Sequence, residues 1–125
     1  MISQLMLLVM LILASCTTPP TKPLQYDSWA DLVQVEIKTM SPQLIQCGRW
    51  LELKMNEEIS VSAFIRIHPT GKLENLVLSE SQRWGKQFYE CIYNQIDQTN
   101  YSSYVGEASV EIEQPLIFKK TASSP

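Results

Sequence analysis

A nine-residue stretch, Ile59 to Ile67, places an apolar residue at every odd position. Successive side chains of a β-strand point to opposite faces, so this pattern predicts a strand with one face on a hydrophobic core. The four residues that follow, His68 to Gly71, carry Pro and Gly at the second and fourth positions, which favours a type I turn. Leu73 to Ser79 then predicts a second strand. The sequence therefore predicts a β-hairpin.

Helical patterns lie on both sides of the hairpin. Asp27-Ser28 can cap a helix that begins near Trp29, and Ser41-Pro42 is typical of a second helix start. We expect this second helix to fade by Asn56, and Lys86 to Gln98 predicts a third helix. The second and third helices each have an apolar face: Leu44, Ile45, Cys47, Leu51 and Met55 on the second, and Phe88, Cys91, Ile92 and Ile96 on the third.

The last predicted element is a strand that follows a loop from Asn100 to Gly106. Ala108 to Glu113 alternates again, Pro115 is expected to interrupt the strand, and Leu116 to Phe118 completes the domain. The element order α-α-β-β-α-β predicts an α+β fold. We expect a two-layer sandwich in which a small antiparallel three-stranded sheet carries two helices on one face.

The first fifteen residues differ from the rest of the chain. They include ten consecutive apolar residues, Leu5 to Ala14, and no charged residue. A membrane-spanning helix needs about 20 apolar residues, whereas the apolar core of an export signal needs only about 7–15. The run ends in Leu13-Ala14-Ser15-Cys16, which resembles a bacterial lipobox. The resemblance implies cleavage before Cys16 and diacylation of this cysteine. The alternative is a short core helix and an ordinary thiol.

The lipobox interpretation divides the chain into four parts. Residues 1–15 are expected to be a lipoprotein signal peptide, residues 16–25 a tether, residues 26–120 the folded domain and residues 121–125 a disordered tail. Two or more acyl chains anchor a protein stably, so the mature protein is expected on a membrane of the cell envelope, facing the periplasm. Thr17 stands where many lipoproteins of the inner membrane have Asp, and the resemblance therefore favours the outer membrane.

Two cysteines remain once Cys16 is assigned to the lipid. An even pair in an oxidising compartment favours a disulfide between Cys47 and Cys91. Such a bridge would join the second and third helices, and closing a loop of this length stabilises a domain by roughly 4 kcal/mol. Two buried free thiols are the first alternative. A metal site or a catalytic thiol is the second, although His68 is the single histidine and no CxxC or HxxxH spacing is present.

Several of these segments together resemble a known superfamily. They are the helix with Leu44-Ile45-Gln46-Cys47, the strand Val61 to Ile67, the turn that ends at Gly71, the helix Phe88 to Ile92 and the final strand to Phe118. In this order they resemble the TonB carboxy-terminal domain superfamily, and most of all its AgmX/PglI-type branch, in which cysteines at these two places are characteristic. The resemblance implies the fold and an edge strand that pairs with partners. We do not expect energy transduction, because the transmembrane Ser/His motif and the long Pro-rich spacer of the transducers are absent from this sequence.

Charge and motifs argue against two classes of function. The formal charge is −3, whereas nucleic-acid-binding proteins usually carry a basic face, so we expect no nucleic-acid partner. The sequence contains no GxSxG, HExxH or P-loop motif, and His68 precedes a proline in a predicted turn. We therefore expect no enzymatic activity, no cofactor and no metal.

Two hypotheses on function follow. The first is a non-catalytic protein-interaction module of the envelope, which recruits a protein partner through the strand that contains Val110 and Ile112. The alternative is an envelope lipoprotein that binds peptidoglycan or a small ligand through Trp84, Tyr101 and Tyr104, because aromatic side chains in loops can stack on such ligands.

Overall fold

The computed structural model describes residues 24–120. The predicted signal peptide, Cys16 with most of the tether, and the predicted tail of residues 121–125 lie outside this range. The predicted α+β class and the order of its elements are confirmed. In chain order the elements are α1 (Tyr26–Thr39), α2 (Ser41–Ile45), the 3₁₀ helix η1 (Gln46–Trp50), β1 (Glu58–Ile67), β2 (Leu73–Leu78), the 3₁₀ helix η2 (Ser81–Arg83), α3 (Lys86–Asp97) and β3 (Val110–Lys119).

β1 is the central strand of an antiparallel sheet with the order β2-β1-β3. Phe64 lies opposite Val77 of β2 on one side and opposite Glu113 of β3 on the other. The predicted alternation of β1 is confirmed, because its apolar positions from residue 61 onward are fully buried: Val61, Ala63, Ile65 and Ile67.

The helices form a second layer on one face of this sheet. α1 buries Trp29, Val33 and Ile37, and α3 buries Phe88, Ile92 and Ile96, in one core with the inward side chains of the strands. Burying one large apolar side chain stabilises the fold by about 1.5–3 kcal/mol, so this single core accounts for most of the favourable free energy of folding. Within residues 24–120, no helix combines the length and the apolar character needed to cross a bilayer.

The second predicted helix is much shorter than expected. Its apolar spacing predicted a helix to about Asn56, but α2 ends at Ile45 and the chain continues as η1 only to Trp50. Gly48 lies against the ring of Phe118, and a Cβ at this position would be 2.8 Å from Phe118 Cδ1. Packing of η1 on β3 therefore outweighs the helical periodicity of the sequence, which is a weak determinant compared with tertiary contacts.

The hairpin turn lies at the predicted residues, His68 to Gly71, and holds a distant loop in place. Gly71 N–H donates to His68 O at 2.8 Å, and Gly71 has a φ of +85°, which L-residues with a side chain rarely adopt. The loop before β3 packs on this turn, because Tyr101 N–H donates to Gly71 O at 3.1 Å and Tyr104 N–H donates to Pro69 O at 3.0 Å. A Cβ at Gly71 would overlap the carbonyl oxygen of Tyr101.

Gly71→Ala is therefore expected to lower the free energy of unfolding by about 3 kcal/mol or more, since it combines a left-handed backbone with a backbone clash. Gly85→Ala is the matched control, because Gly85 has an ordinary φ of −72° and a Cβ there meets nothing within 4 Å. It should cost less than about 1 kcal/mol, the effect of a changed helix cap. Denaturant unfolding followed by tryptophan fluorescence measures both, and equal losses for the two variants would contradict this account of the turn.

Candidate interaction edge

The sheet has two outer edges, and the pairing of β1 shows which backbone groups face each of them. Ser79 N–H donates to Ser62 O at 2.9 Å, so the even residues of β1 bond to β2. Lys120 N–H donates to Glu57 O at 3.4 Å, so the odd residues of β1 bond to β3. Neighbouring residues of a strand direct their backbone groups to opposite sides, and the even residues of β3 therefore bond to β1. The odd residues of β3 present their backbone groups to the outer edge.

Pro115 is one of these outward residues, and this explains its place in the strand. The prediction that it would interrupt the strand is wrong, because β3 runs without a break from Val110 to Lys119. Proline lacks an N–H, but Pro115 lies opposite Ser62 at a position where the N–H would point away from β1. The ladder to β1 therefore loses no hydrogen bond, as expected for proline in an edge strand.

The outward N–H groups of β3 belong to Glu111, Glu113, Ile117 and Lys119. No strand of residues 24–120 pairs with this edge. An edge of this kind is a template on which another extended chain can add. The choice of Val110 and Ile112 as contact residues needs correction, because each is only 6% exposed and lies in the core. Their odd-numbered neighbours are the residues that a partner strand would meet.

The other edge of the sheet, that of β2, is contacted by a side chain of α3. Tyr89 of α3 donates its hydroxyl to Leu76 O at 3.1 Å. Trp84 Nε1 donates to Ser79 O, just beyond the end of β2, at 2.7 Å. Leu76 O is an outward carbonyl group of β2, whereas Ser79 lies opposite Ser62 and directs its backbone toward β1. On β3 one outward carbonyl also accepts a side-chain hydrogen bond, from Gln114 Nε2 to Pro115 O at 3.1 Å. The two edges still differ, because β2 has six residues and is contacted by α3, whereas β3 has ten.

The face of the sheet away from the helices carries one ion pair and three exposed apolar side chains. Arg66 and Glu111 lie opposite each other and their side chains are 2.7 Å apart. The hydrogen bond that Arg66 donates to the Glu111 carboxylate raises the pKa of the guanidinium, which favours its charged form. Phe64, Val77 and Ile117 are each between 42% and 55% exposed. Ile117 therefore combines an outward N–H with an exposed apolar side chain.

The structure does not bring together the aromatic residues proposed for ligand binding. Trp84 follows β2, whereas Tyr101 and Tyr104 pack on the turn that precedes β2. The length of the strand thus separates them by roughly 17–20 Å. Tyr101 is 5% exposed, so its ring cannot contact a ligand at the surface.

Tyr104 is part of an aromatic cluster that sequence analysis missed. Its ring stacks on the fully buried Trp29 with centroids 4.2 Å apart. Trp29 Nε1 donates to Ser102 O at 2.6 Å, which fixes the loop before β3 to α1. The apolar spacing of Trp29, Val33 and Ile37 on one helical face was the available signal that Trp29 belongs to the core.

Cys47 and Cys91 form a disulfide with their Cα atoms 5.7 Å apart, and it joins η1 to α3. No group of three side chains that could ligate a metal occurs within residues 24–120. His68 is exposed, and its ring bonds to Thr70 within the turn. These residues therefore have structural roles.

Tyr101 makes the stability of the domain depend on pH in the alkaline range. Its hydroxyl donates to Ile96 O at 3.1 Å, and burial raises the pKa of Tyr101 to about 12. An unfolded tyrosine ionises near pH 10, so the contribution of Tyr101 is complete below pH 10 and is lost as the pH rises from 10 to 12, by about 1.4 kcal/mol per pH unit. Tyr101→Phe lacks this ionisation, so its difference in unfolding free energy from the wild type should shrink at this rate above pH 10. A difference that stays constant from pH 9 to 11.5 would contradict the burial of this hydroxyl.

Comparison of the chain with protein-family models, with curated proteins and with solved structures finds no match. The features that bear on function are therefore the outer edge of β3, the exposed face of the sheet and the lipobox-like sequence.

Proposed function

We propose that this protein is a lipid-anchored module of the cell envelope that binds a protein partner and has no catalytic activity or energy transduction of its own. The partner contributes an extended segment that adds as a fourth strand along the outer edge of β3. The observation that carries this proposal is the long open edge of β3: this strand has ten residues, and its outward N–H groups have no partner strand within residues 24–120. β2 is shorter, with six residues, and Tyr89 of α3 donates a hydrogen bond to its outward Leu76 O.

Strand addition fits the composition of this edge. Main-chain hydrogen bonds supply affinity in this mode, and alternate side chains supply specificity. Four N–H groups and five carbonyl groups face outward between Glu111 and Lys119, and Pro115 divides them into two halves. Pro115 O itself accepts a hydrogen bond from Gln114 Nε2 at 3.1 Å. Charges and proline on an edge oppose indiscriminate pairing, so a partner has to match the pattern of the edge.

The lipid anchor rests on the sequence alone. Cleavage before Cys16 would leave about ten residues before α1, and an extended tether of this length reaches at most about 35 Å. The domain would then stay close to the membrane, and its partner would be an envelope protein that comes within this distance. We place it at the periplasmic face of the outer membrane.

Mass spectrometry of the membrane fraction tests the anchor. The expected product begins at a diacylated Cys16, and Cys16→Ala should abolish both the acylation and the membrane association. Cys47→Ala is a useful comparison because it changes a cysteine of the folded domain and should leave acylation of Cys16 intact. An intact Met1 or an unmodified Cys16 in the wild-type protein would disprove the anchor.

Ile117→Pro tests the edge, because it removes an outward N–H while the ladder between β3 and β1 keeps all its bonds. Ile117→Ala is the matched control, which shortens the same side chain but keeps the N–H. In-cell cross-linking of the full-length protein should recover a partner with the wild type and with Ile117→Ala, and recover it at least fivefold less with Ile117→Pro.

Thermal unfolding of each variant checks that it is folded, and Glu113→Pro replaces Ile117→Pro if the latter does not fold. Equal recovery of the partner with the proline variant and the wild type would overturn strand addition at this edge. Failure to recover any partner with the wild type would overturn the interaction module itself.

A further inference from the structure

A groove of about 640 Å³ lies beside the end of β3, between this strand and η1. Binding sites for small ligands usually measure about 300–1,000 Å³, so the groove is large enough to hold part of a partner. Its apolar surface comes from Ile45, Leu51, Leu53 and Phe118. Phe118 forms the buried base, and Ile45 is 37% exposed.

The groove reaches the outer edge of β3 at Lys119, whose backbone groups face away from β1. No residue of β1 lines it, whereas β3 contributes Phe118 and Lys119. The backbone groups of Ile117 and Lys119 point to the same side, as the pairing with β1 requires. A chain that adds to the outer edge of β3 would therefore reach the groove beside Lys119.

The groove is basic although the chain as a whole has a formal charge of −3. Arg49, Lys119 and Lys120 line it, and no carboxylate does. None of these three side chains forms an ion pair with another residue of the range 24–120. Two carboxylates lie nearby: Glu58 is opposite Lys119 in the ladder, and Glu57 accepts a hydrogen bond from Lys54 N–H at 3.2 Å. The lining of the groove is thus basic and its three cations are not ion-paired within residues 24–120, while Glu57 and Glu58 stand outside the lining.

We propose that the groove binds an acidic, extended segment of a partner protein, whose apolar side chains contact Ile45 and Leu53 and whose carboxylates meet Arg49, Lys119 and Lys120. This inference rests on the proposed strand addition and adds the chemistry of the partner. An anionic membrane surface is the competing occupant, because Trp50 is 44% exposed and the Arg49 guanidinium lies 5.7 Å from the centre of its ring. The concave shape beside an unpaired strand edge favours an extended chain over a flat bilayer.

Fluorescence anisotropy with synthetic peptides tests the proposal on the full-length protein. The probes are fluorescein-labelled Glu-Val-Glu-Leu-Glu-Val-Glu, the same peptide with Gln in place of Glu, and vesicles of phosphatidylglycerol. The acidic peptide should bind about tenfold more tightly than the neutral one in 20 mM salt, and this advantage should shrink in 500 mM salt because the exposed charges are screened.

Charge reversal identifies the residues responsible. The double variant Arg49→Glu with Lys119→Glu should lose the preference for the acidic peptide. The double variant Arg83→Glu with Lys86→Glu is the matched control, because it changes the net charge equally at exposed positions around the start of α3, and it should retain the preference. Ile117→Pro should weaken the binding of both peptides, because both are expected to form hydrogen bonds with the outward backbone groups of β3.

Four outcomes overturn the groove proposal. They are equal affinity for the acidic and neutral peptides, retention of the preference after reversal of Arg49 and Lys119, binding of neither peptide, and binding of the vesicles but not the acidic peptide. The proposed function fails separately, when Ile117→Pro leaves the recovery of the cellular partner unchanged. A third combination separates the two proposals. If Ile117→Pro loses the cellular partner but the two peptides bind equally well, strand addition stands and the acidic chemistry of the partner is ruled out.

Discussion

The pairing of β1 on both of its sides is the constraint on which the rest of the structure depends. The side chains at its odd-numbered positions lie in the core, while its backbone hydrogen bonds alternate between β2 and β3. A shift of one residue would expose every one of these apolar side chains, so the hydrophobic pattern fixes the register. The same register decides which residues of β3 face β1 and which face outward.

A three-stranded sheet with helices on one face retains two edges, and the chain treats them differently. Tyr89 of α3 donates a hydrogen bond to the outward Leu76 O of β2, and Trp84, which precedes α3, bonds to Ser79 O just beyond the strand. The outer edge of β3 carries Ile117 together with Pro115 and charged side chains, and the proline and the charges discourage unselective pairing. Gln114 Nε2 bonds to Pro115 O, while the outward N–H groups have no partner strand within residues 24–120. The disulfide between Cys47 and Cys91 connects the helical elements, and the packing of Gly48 on Phe118 brings η1 beside the open edge. Together these contacts form the groove that we assign to an acidic partner.

Much of the fold could be predicted from the sequence because the decisive patterns are local. Three local patterns predicted the limits of their elements to within a residue or two. They are the alternation in β1, the Pro and Gly of the turn, and the apolar face of α3. The errors occur where distant contacts decide the outcome. Gly48 shortens a helix because Phe118 lies across from it, and Pro115 is tolerated because the N–H it lacks would face outward.

The candidate site was harder to predict for the same reason. Val110 and Ile112 have the apolar alternation of a strand, but only the pairing with β1 shows that their side chains are buried and their odd-numbered neighbours face a partner. Tyr101 and Tyr104 lie in a loop of the sequence, yet a buried hydroxyl and the stack on Trp29 make them structural residues. The basic groove joins residues about 70 positions apart in the chain, a proximity that no local pattern shows.

Amide-resolved hydrogen exchange of β3 tests the open edge most directly. The account predicts slow exchange at the N–H groups of Ile112, Leu116 and Phe118, which bond to β1, and fast exchange at those of Glu113, Ile117 and Lys119. After a partner segment binds, the fast set should become protected. Slow exchange of both sets in the unbound protein would contradict the open edge, and with it the proposed mode of binding.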